Sequence, residues 1–542
     1  MKKFFYLIHM QLFIVIGAYG QPIDMNFPPM GTTRFVGGSA DGMTGYIVKI
    51  IGNFTRTGES ELAIGEPFND KVNIILGNRN QPDSIDLSNL RNKGFAIKGN
   101  DGSGFGFSIS ALGDFDNDGY KDIAIGAPFD GVGGRVYVLK GSQYPPASAS
   151  VEDEDLFALI VEGSPGELLG FSLADGDTFN NDALNDLLIY RAGVSAERDG
   201  QEAVYAIYGQ RSFPEKIIQT NNLDQTSTLT ILGPKTDSGI GYFGNAFEFI
   251  GDYTQDGSSD LALFTGVTQE ENPKGTIMIL PGGTALTGTY NYNEIPLAVR
   301  EISFQLFPDP NMHAVSVIKG GDATGDGRAD LIAGLASGNI GGGTAPTGLI
   351  AIIPGSANAT PSINITKEAP GDAILLGHWI ANSGLGESIS TSGTLIAAGA
   401  FRAVSPADAT SHTGTVYIVN GANLKRGMME QIAKTSSIAF YGKKDGDQFG
   451  LSVHFLGDLN QDGHQDLFVG VPGNKDDAEA FAFLVPFVPA FIDFNADGRL
   501  TPLDLFFFQH GWGMASSAAD WNADGIADGS DLLGILLRLK TQ

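Results

Sequence analysis

Short apolar runs, each closed by Gly, Asp, Asn or Pro, recur along this chain, and the clearest copy lies between residues 104 and 139. Gly104-Phe105-Gly106-Phe107-Ser108 leads to Gly113-Asp114-Phe115-Asp116-Asn117-Asp118-Gly119-Tyr120-Lys121-Asp122. Ile123-Ala124-Ile125-Gly126-Ala127-Pro128 follows, and Gly134-Arg135-Val136-Tyr137-Val138-Leu139 closes the unit. The runs are too short for helices and are bounded by turn formers, which predicts strand, acidic turn, strand, Gly/Pro turn, strand.

The acidic turn recurs at Asn53, Asp114, Asp177, Asp252, Asp322, about Thr391 and Asp458, at spacings of 61, 63, 75, 70, 69 and 67 residues. A period of this size fits four strands plus loops. One such sheet cannot bury both faces, whereas a ring of sheets buries them and protects the edges. The expected fold is all-β: a seven-bladed β-propeller over residues 24–488, preferred to a linear array or stacked sandwiches. Phe243-Gly244, Phe449-Gly450 and Leu169-Gly170 repeat the step before the first strand. Gly399-Ala400 and Val471-Pro472 echo the second turn, and Thr415–Val419 echoes the third strand.

Composition narrows the classes. Of 542 residues, 74 are Gly, about twice the usual share, which suits many tight turns. Acidic residues outnumber basic ones 62 to 33, a formal charge of -29, so a phosphate-binding surface and a nucleic-acid partner are not expected. With no Cys there are no disulfides, thiolate metal sites or Cys nucleophiles. Met1-Lys2-Lys3, an apolar stretch from Phe4 to Ala18, and Ala18-Tyr19-Gly20 read as a secretory signal peptide over residues 1–20. No later stretch is apolar enough to span a bilayer. The expected location is secreted or surface-associated, in a bacterial setting, where free calcium is available.

Alternating carboxylates in a tight turn converge on one point. Asp114, Asp116 and Asp118 stand at loop positions 1, 3 and 5, Gly119 permits the bend, the Tyr120 carbonyl points inward and Asp122 closes the site. Hard oxygen donors at this density suit Ca²⁺, and four carboxylates without a cation repel one another. Three further loops repeat the pattern: Asp252, Thr254, Asp256, Ser258 and Asp260; Asp322, Thr324, Asp326, Arg328 and Asp330; Asp458, Asn460, Asp462, His464 and Asp466. The copies at Asn53-Thr55-Thr57-Glu61 and at Asp177-Asn180-Asp182-Asp186 have decayed, and the sixth, near Ser390 and Thr391, has no acidic series. Asp-rich turns held by local hydrogen bonds are the alternative at each position.

Together the Phe-Gly, DxDxDGxxD and Gly-Ala-Pro elements resemble the FG-GAP repeats of the integrin alpha-chain N-terminal propeller. That resemblance implies calcium in loops on the lower face and partner binding by loops on the opposite face. The integrin binding residues find no matching motif here.

After Pro489 two loops begin 27 residues apart. The first places oxygens at Asp493, Asn495, Asp497 and Asp504, with the Arg499 carbonyl. The second places them at Asp520, Asn522, Asp524 and Asp531, with the Ile526 carbonyl. Gly at position 6 and a carboxylate at position 12 give the spacing of a twelve-residue calcium loop. Each runs into an apolar, capped helix, which couples calcium to folding. Residues 489–542 resemble a type I dockerin, implying attachment to a cohesin-like scaffold; Pro502-Leu503 and Gly529-Ser530 depart from the frequent Ser-Thr selector pair.

No GxSxG elbow, Walker loop or dinucleotide fingerprint stands out, and the histidines form no metal motif. The expected function is an exported, calcium-binding adhesion or protein-interaction scaffold, with the question of an enzymatic activity left open. The competing reading is a carbohydrate-active hydrolase or lyase, or a polysaccharide-binding protein, tethered through the same tail.

Overall fold

The computed structural model describes residues 23–25 and 32–486, apart from 38–41, 78–81, 83, 147, 181, 193–200, 235–242, 245, 268–273, 284–285, 297–299, 306–314, 338–346, 356–361, 367–370, 379–381, 405–409, 437, 458–464 and 474–480. The signal segment and the whole of residues 489–542 lie outside the described residues.

The described strands form seven five-stranded sheets. Their first strands are Val48–Gly52, Ser108–Gly113, Leu173–Asp177, Phe247–Phe249, Val317–Gly321, Leu385–Ser392 and Val453–Gly457, which number blades 1 to 7. These strands touch in cyclic order, and the last returns to the first. The architecture is a closed β-propeller, with the first strands around its axis.

Blade 2 shows the plan. Ser108–Gly113, Asp122–Ala127, Arg135–Leu139 and Phe157–Glu162 pair antiparallel in chain order. A fifth strand, Ile217–Gln219, then pairs parallel with Phe157–Glu162, and it comes from the connection between the third and fourth strands of blade 3. The four-strand unit expected from the period is thus extended, because each blade lends a short strand to the edge of the one before it. Covering that edge protects it from stray pairing.

The ring closes through the N-terminal segment. Thr33–Val36 is the fourth strand of blade 7, antiparallel to Phe481–Pro486. Ile23–Asp24 is the fifth strand of blade 6, parallel to Ile438–Tyr441. A strand from one end of the repeat array therefore completes the blade formed at the other.

Second strands such as Asp122–Ala127, Asp186–Arg191 and Asp330–Leu335 are buried at every position. Both faces of each sheet meet a neighbouring blade, so the strands are apolar on both sides instead of alternating. Core side chains cluster between the blades; Phe105, Tyr137 and Phe157 share one cluster with Ile74 and Ile97 of blade 1.

Glycines from two motifs meet at the seams. A Cβ on Gly126, in the Gly-Ala-Pro turn of blade 2, would stand 2.0 Å from the carbonyl oxygen of Gly170, at the head of blade 3. Gly399 faces Gly450 in the same way, and Gly470 faces Gly45 across the ring closure. This close approach explains why the two motifs recur together. Gly126→Val drives a side chain into the blade 2–3 seam, and the expected loss is about 1–3 kcal/mol, read as a lower urea midpoint.

Candidate cation loops and axial funnel

Each acidic loop joins the first strand of a blade to its second, so the loops share one face of the ring. In blade 2 the chain leaves Gly113 and crosses two left-handed residues, Asn117 (φ 57°) and Gly119 (φ 89°). Gln255 and Gly257 repeat that pair in blade 4, and Gly325 and Gly327 in blade 5. The bend at position 6 was legible as an invariant glycine. The one at position 4 was not, because Asn, Gln and Gly share no obvious signature.

The same hydrogen bonds shape these three loops. The position 1 carboxylate accepts from the glycine N–H at position 6: Gly119 to Asp114 at 3.1 Å, Gly257 to Asp252 at 3.0 Å and Gly327 to Asp322 at 2.9 Å. The position 5 carboxylate accepts from the N–H at position 7, which is Tyr120, Ser258 or Arg328. The closing Asp is fully buried and bonds in two directions. Asp122 accepts from Phe115 N at 2.9 Å and from Gly141 N, beyond the third strand, also at 2.9 Å. Asp260 joins Thr254 to Gly282, and Asp330 joins Thr324 to Gly355. This carboxylate, expected only as a cation ligand, also ties each loop to its own sheet.

Asp114, Asp116 and Asp122 each offer an oxygen within 4.8 Å of the others, and the Asp118 charge acts on Asp116 and Asp122. Burial pushes the Asp122 carboxyl up to about 7 despite its two backbone donors, and burial with Asp118 and Asp114 nearby raises Asp116. Asp114 Oδ1 is buried without a hydrogen-bond partner, and so is Thr324 Oγ1 in blade 5. Orphaned oxygens beside clustered carboxylates fit a hard cation. In blades 4 and 5 the third position is Thr, so fewer carboxylates meet there. Thr254 Oγ1 donates to Asp260 at 3.2 Å.

Hydrogen bonds occupy oxygens of the decayed loops. In blade 1 the hydroxyls of Thr55 and Thr57 both donate to Glu61, which also accepts from Phe54 N at 2.7 Å. In blade 3 Asp177 accepts from Ser259 Oγ of blade 4 at 2.5 Å, and Asn180 donates to Asp182 at 2.8 Å. Blade 6 has a tight hairpin turn at Gly393-Thr394 between Leu385–Ser392 and Leu395–Ala400. Asp458, Asn460, Asp462 and His464 lie outside the described residues; Asp466 is fully buried at the start of its strand.

The other ends of the first strands line a funnel of about 690 Å³ around the axis. Aromatic rings form part of its wall: Phe107 lies 5.1 Å from Tyr46 and 4.6 Å from Phe171, ring centre to ring centre. Phe129 packs edge-on against Phe107 outside the funnel. Phe129 and Phe171 are 49% and 42% exposed, large values for side chains of this kind. Deeper in, charges from four blades converge. Lys49 of blade 1 reaches Asp175 of blade 3 at 2.6 Å, and Lys319 of blade 5 pairs with Glu248 of blade 4. Burial opposes ionisation of Asp175, but Lys49 and Lys319 outweigh it and hold the carboxyl below its ordinary range.

His454 of blade 7 faces the same cluster, and burial together with Lys49 and Lys319 holds its imidazole well below the ordinary value. The unfolded chain therefore takes up the proton first as pH falls through the ordinary histidine range, and stability drops. Buried carboxyls such as Asp122, raised in the folded state, act in the opposite sense, so the histidine is read as a difference. Between pH 7.5 and 5 we expect the melting temperature of the wild type to fall relative to that of His454→Asn, in which the Lys49, Asp175, Glu248 and Lys319 charges remain.

Comparison with known proteins agrees with this geometry. The family model described as "FG-GAP repeat" matches residues 105–139 and 449–483. Integrin alpha-PS2 of Drosophila melanogaster is 38% identical over 91 residues, 16% of this chain and 6% of the relative. Integrin alpha-7 of Mus musculus is 33% identical over 143 residues, 25% and 11% of the two chains. Integrin alpha-5 of Xenopus laevis is 28% identical over 244 residues, 43% and 20%. The matched regions thus span a fifth or less of these relatives' length. The chain is a β-propeller carrying FG-GAP repeats, and part of it is similar to integrin alpha chains. Among the described residues, no helix is long and apolar enough to cross a membrane.

Proposed function

We propose that this protein is an exported protein-interaction scaffold whose blades are stabilised by calcium. The observation that carries this reading is the opposite chemistry at the two ends of the same first strands. One end carries carboxylate loops with orphaned oxygens, and the other an aromatic-walled funnel with a charged floor.

Asp114, Asp116, Asp118 and Asp122, with the Tyr120 carbonyl, would hold one ion. The sets beginning at Asp252, Asp322 and Asp458 would hold others. Bound calcium would supply positive charge that cancels carboxylate repulsion and pins each loop to its blade. The funnel face suits a protruding segment of a partner protein, apolar along its sides and polar at its tip. The aromatic wall offers apolar contact, and the paired charges beneath it need a polar group to meet them. Residues 489–542, with loops beginning at Asp493 and Asp520, would form a separate calcium-dependent module that attaches the propeller to a cohesin-like protein.

The test is capture of surface proteins by the full chain in calcium and in chelator. Wild type is compared with a Phe129→Asp/Phe171→Asp variant whose melting temperature and calcium binding are checked. A protein retained in calcium and lost with the double variant supports the reading. Retention indifferent to that variant sinks the funnel as the docking site. Turnover of a polysaccharide by the same protein would favour an enzyme instead.

A further inference from the structure

We infer that Arg426 lowers the cation affinity of the blade 5 loop and makes it fill after the blade 4 loop, which carries the same number of carboxylates. This inference rests on the calcium reading above.

The three loops described in full can be compared atom by atom. In each, one oxygen of the position 5 carboxylate accepts the N–H of position 7: Asp118 from Tyr120, Asp256 from Ser258 and Asp326 from Arg328. The second oxygen is what position 5 can offer a cation. In blade 5 that oxygen, Asp326 Oδ2, accepts from Arg426 Nη2 at 2.7 Å. Among the described residues, no cationic side chain lies within ion-pair distance of Asp118 or Asp256. Arg56, which reaches the blade 2 loop, is stacked on the Tyr120 ring, its guanidinium carbon 4.3 Å from the ring centre.

Arg426 is delivered by the fold. It lies in the turn before Met429–Gln431, the fifth strand of blade 5, which pairs parallel with Ile374–Gly377 and arrives from the connection within blade 6. Backbone bonds fix that turn: Gly427 N donates to Ala373 O and Leu375 N to Met428 O, both at 3.0 Å. The guanidinium is therefore tethered at the loop. An arriving divalent ion must share or displace its bond to Asp326, and it meets a like charge as it does so. The loop still has the form of a cation site, since Thr324 Oγ1 is buried without a partner. Asp326 is exposed enough for solvent to weaken the effect, so we expect a modest factor: Arg426→Gln should tighten blade 5 about fivefold.

Crystals of the full chain soaked in stepped concentrations of Tb³⁺ report each loop separately, through its anomalous scattering. We expect blade 4 to reach half occupancy before blade 5 in the wild type. In Arg426→Gln, blade 5 should move to about fivefold lower concentration while blades 2 and 4 stay in place. Arg426→Lys, which keeps the charge but loses the planar fork, should remain nearer the wild type. Melting in chelator confirms that the variants fold. If blade 5 fills at the wild-type concentration in Arg426→Gln, or all loops shift together, the inference is overturned while the calcium reading stands. If no loop takes up the ion, the calcium reading itself fails.

Discussion

Phe35→Ala is expected to destabilise the protein by about 3–5 kcal/mol, although it lies outside every repeat motif. Phe35 sits in the strand Thr33–Val36, fully buried, with its ring centre 6.0 Å from that of Phe468. It packs with Val48, Leu62 and Ile64 of blade 1 and with Ile85 and Leu456 of blade 7, so truncation opens a cavity where the ring closes. The strand is also the fourth strand of blade 7, pairing with Phe481–Pro486 on one side and Ser84–Asp86 on the other. Deleting residues 32–36 should cost more than the point change, because both pairings vanish and two blade faces become exposed. Chemical denaturation followed by fluorescence and by circular dichroism measures both. A loss below about 1 kcal/mol for Phe35→Ala would mean that the ring does not depend on this strand.

The second large effect is expected at Asp122. Asp122→Ala leaves the N–H groups of Phe115 and Gly141 without their acceptor in a buried site. At about 1–3 kcal/mol for each of the two abandoned donors, the loss is about 2–6 kcal/mol. Asp122→Asn keeps an acceptor oxygen and should lose less. The measurement is made both in chelator and in excess calcium. A staple to the sheet predicts a loss under both conditions, with a larger gap in calcium because the variant also loses a ligand. A loss seen only in calcium would show that the carboxylate acts on the ion alone.

Much of this was legible because the information is local. Strands, turns and acidic loops occupy a few consecutive residues each, and their order within a repeat is visible at Gly104–Leu139. The acidic-turn series at Asp114, Asp252 and Asp322 placed three loops correctly, down to the glycine bend at position 6. The fifth strands escaped notice for a physical reason. Ile217–Gln219 and Ser148–Ser150 are short and partly exposed, so burial imposed no hydrophobic pattern on them. The N-terminal closing strand was equally hidden, since Thr33-Arg34-Phe35-Val36 gains its role only from a partner at the far end of the array.

Sequence by itself determined the strand-rich class, the repeat, and the acidic residues that share each loop. Backbone turns and ligand spacing are fixed by residues within one turn of each other. Only the tertiary structure decided which blade lends a strand to which edge and how Gly126 meets Gly170. It alone brought Lys49, Asp175, Glu248, Lys319 and His454 to one axis, and Arg426 to Asp326. Those juxtapositions depend on closing the ring, which brings residues far apart in the chain within hydrogen-bond reach, and no local pattern encodes that distance.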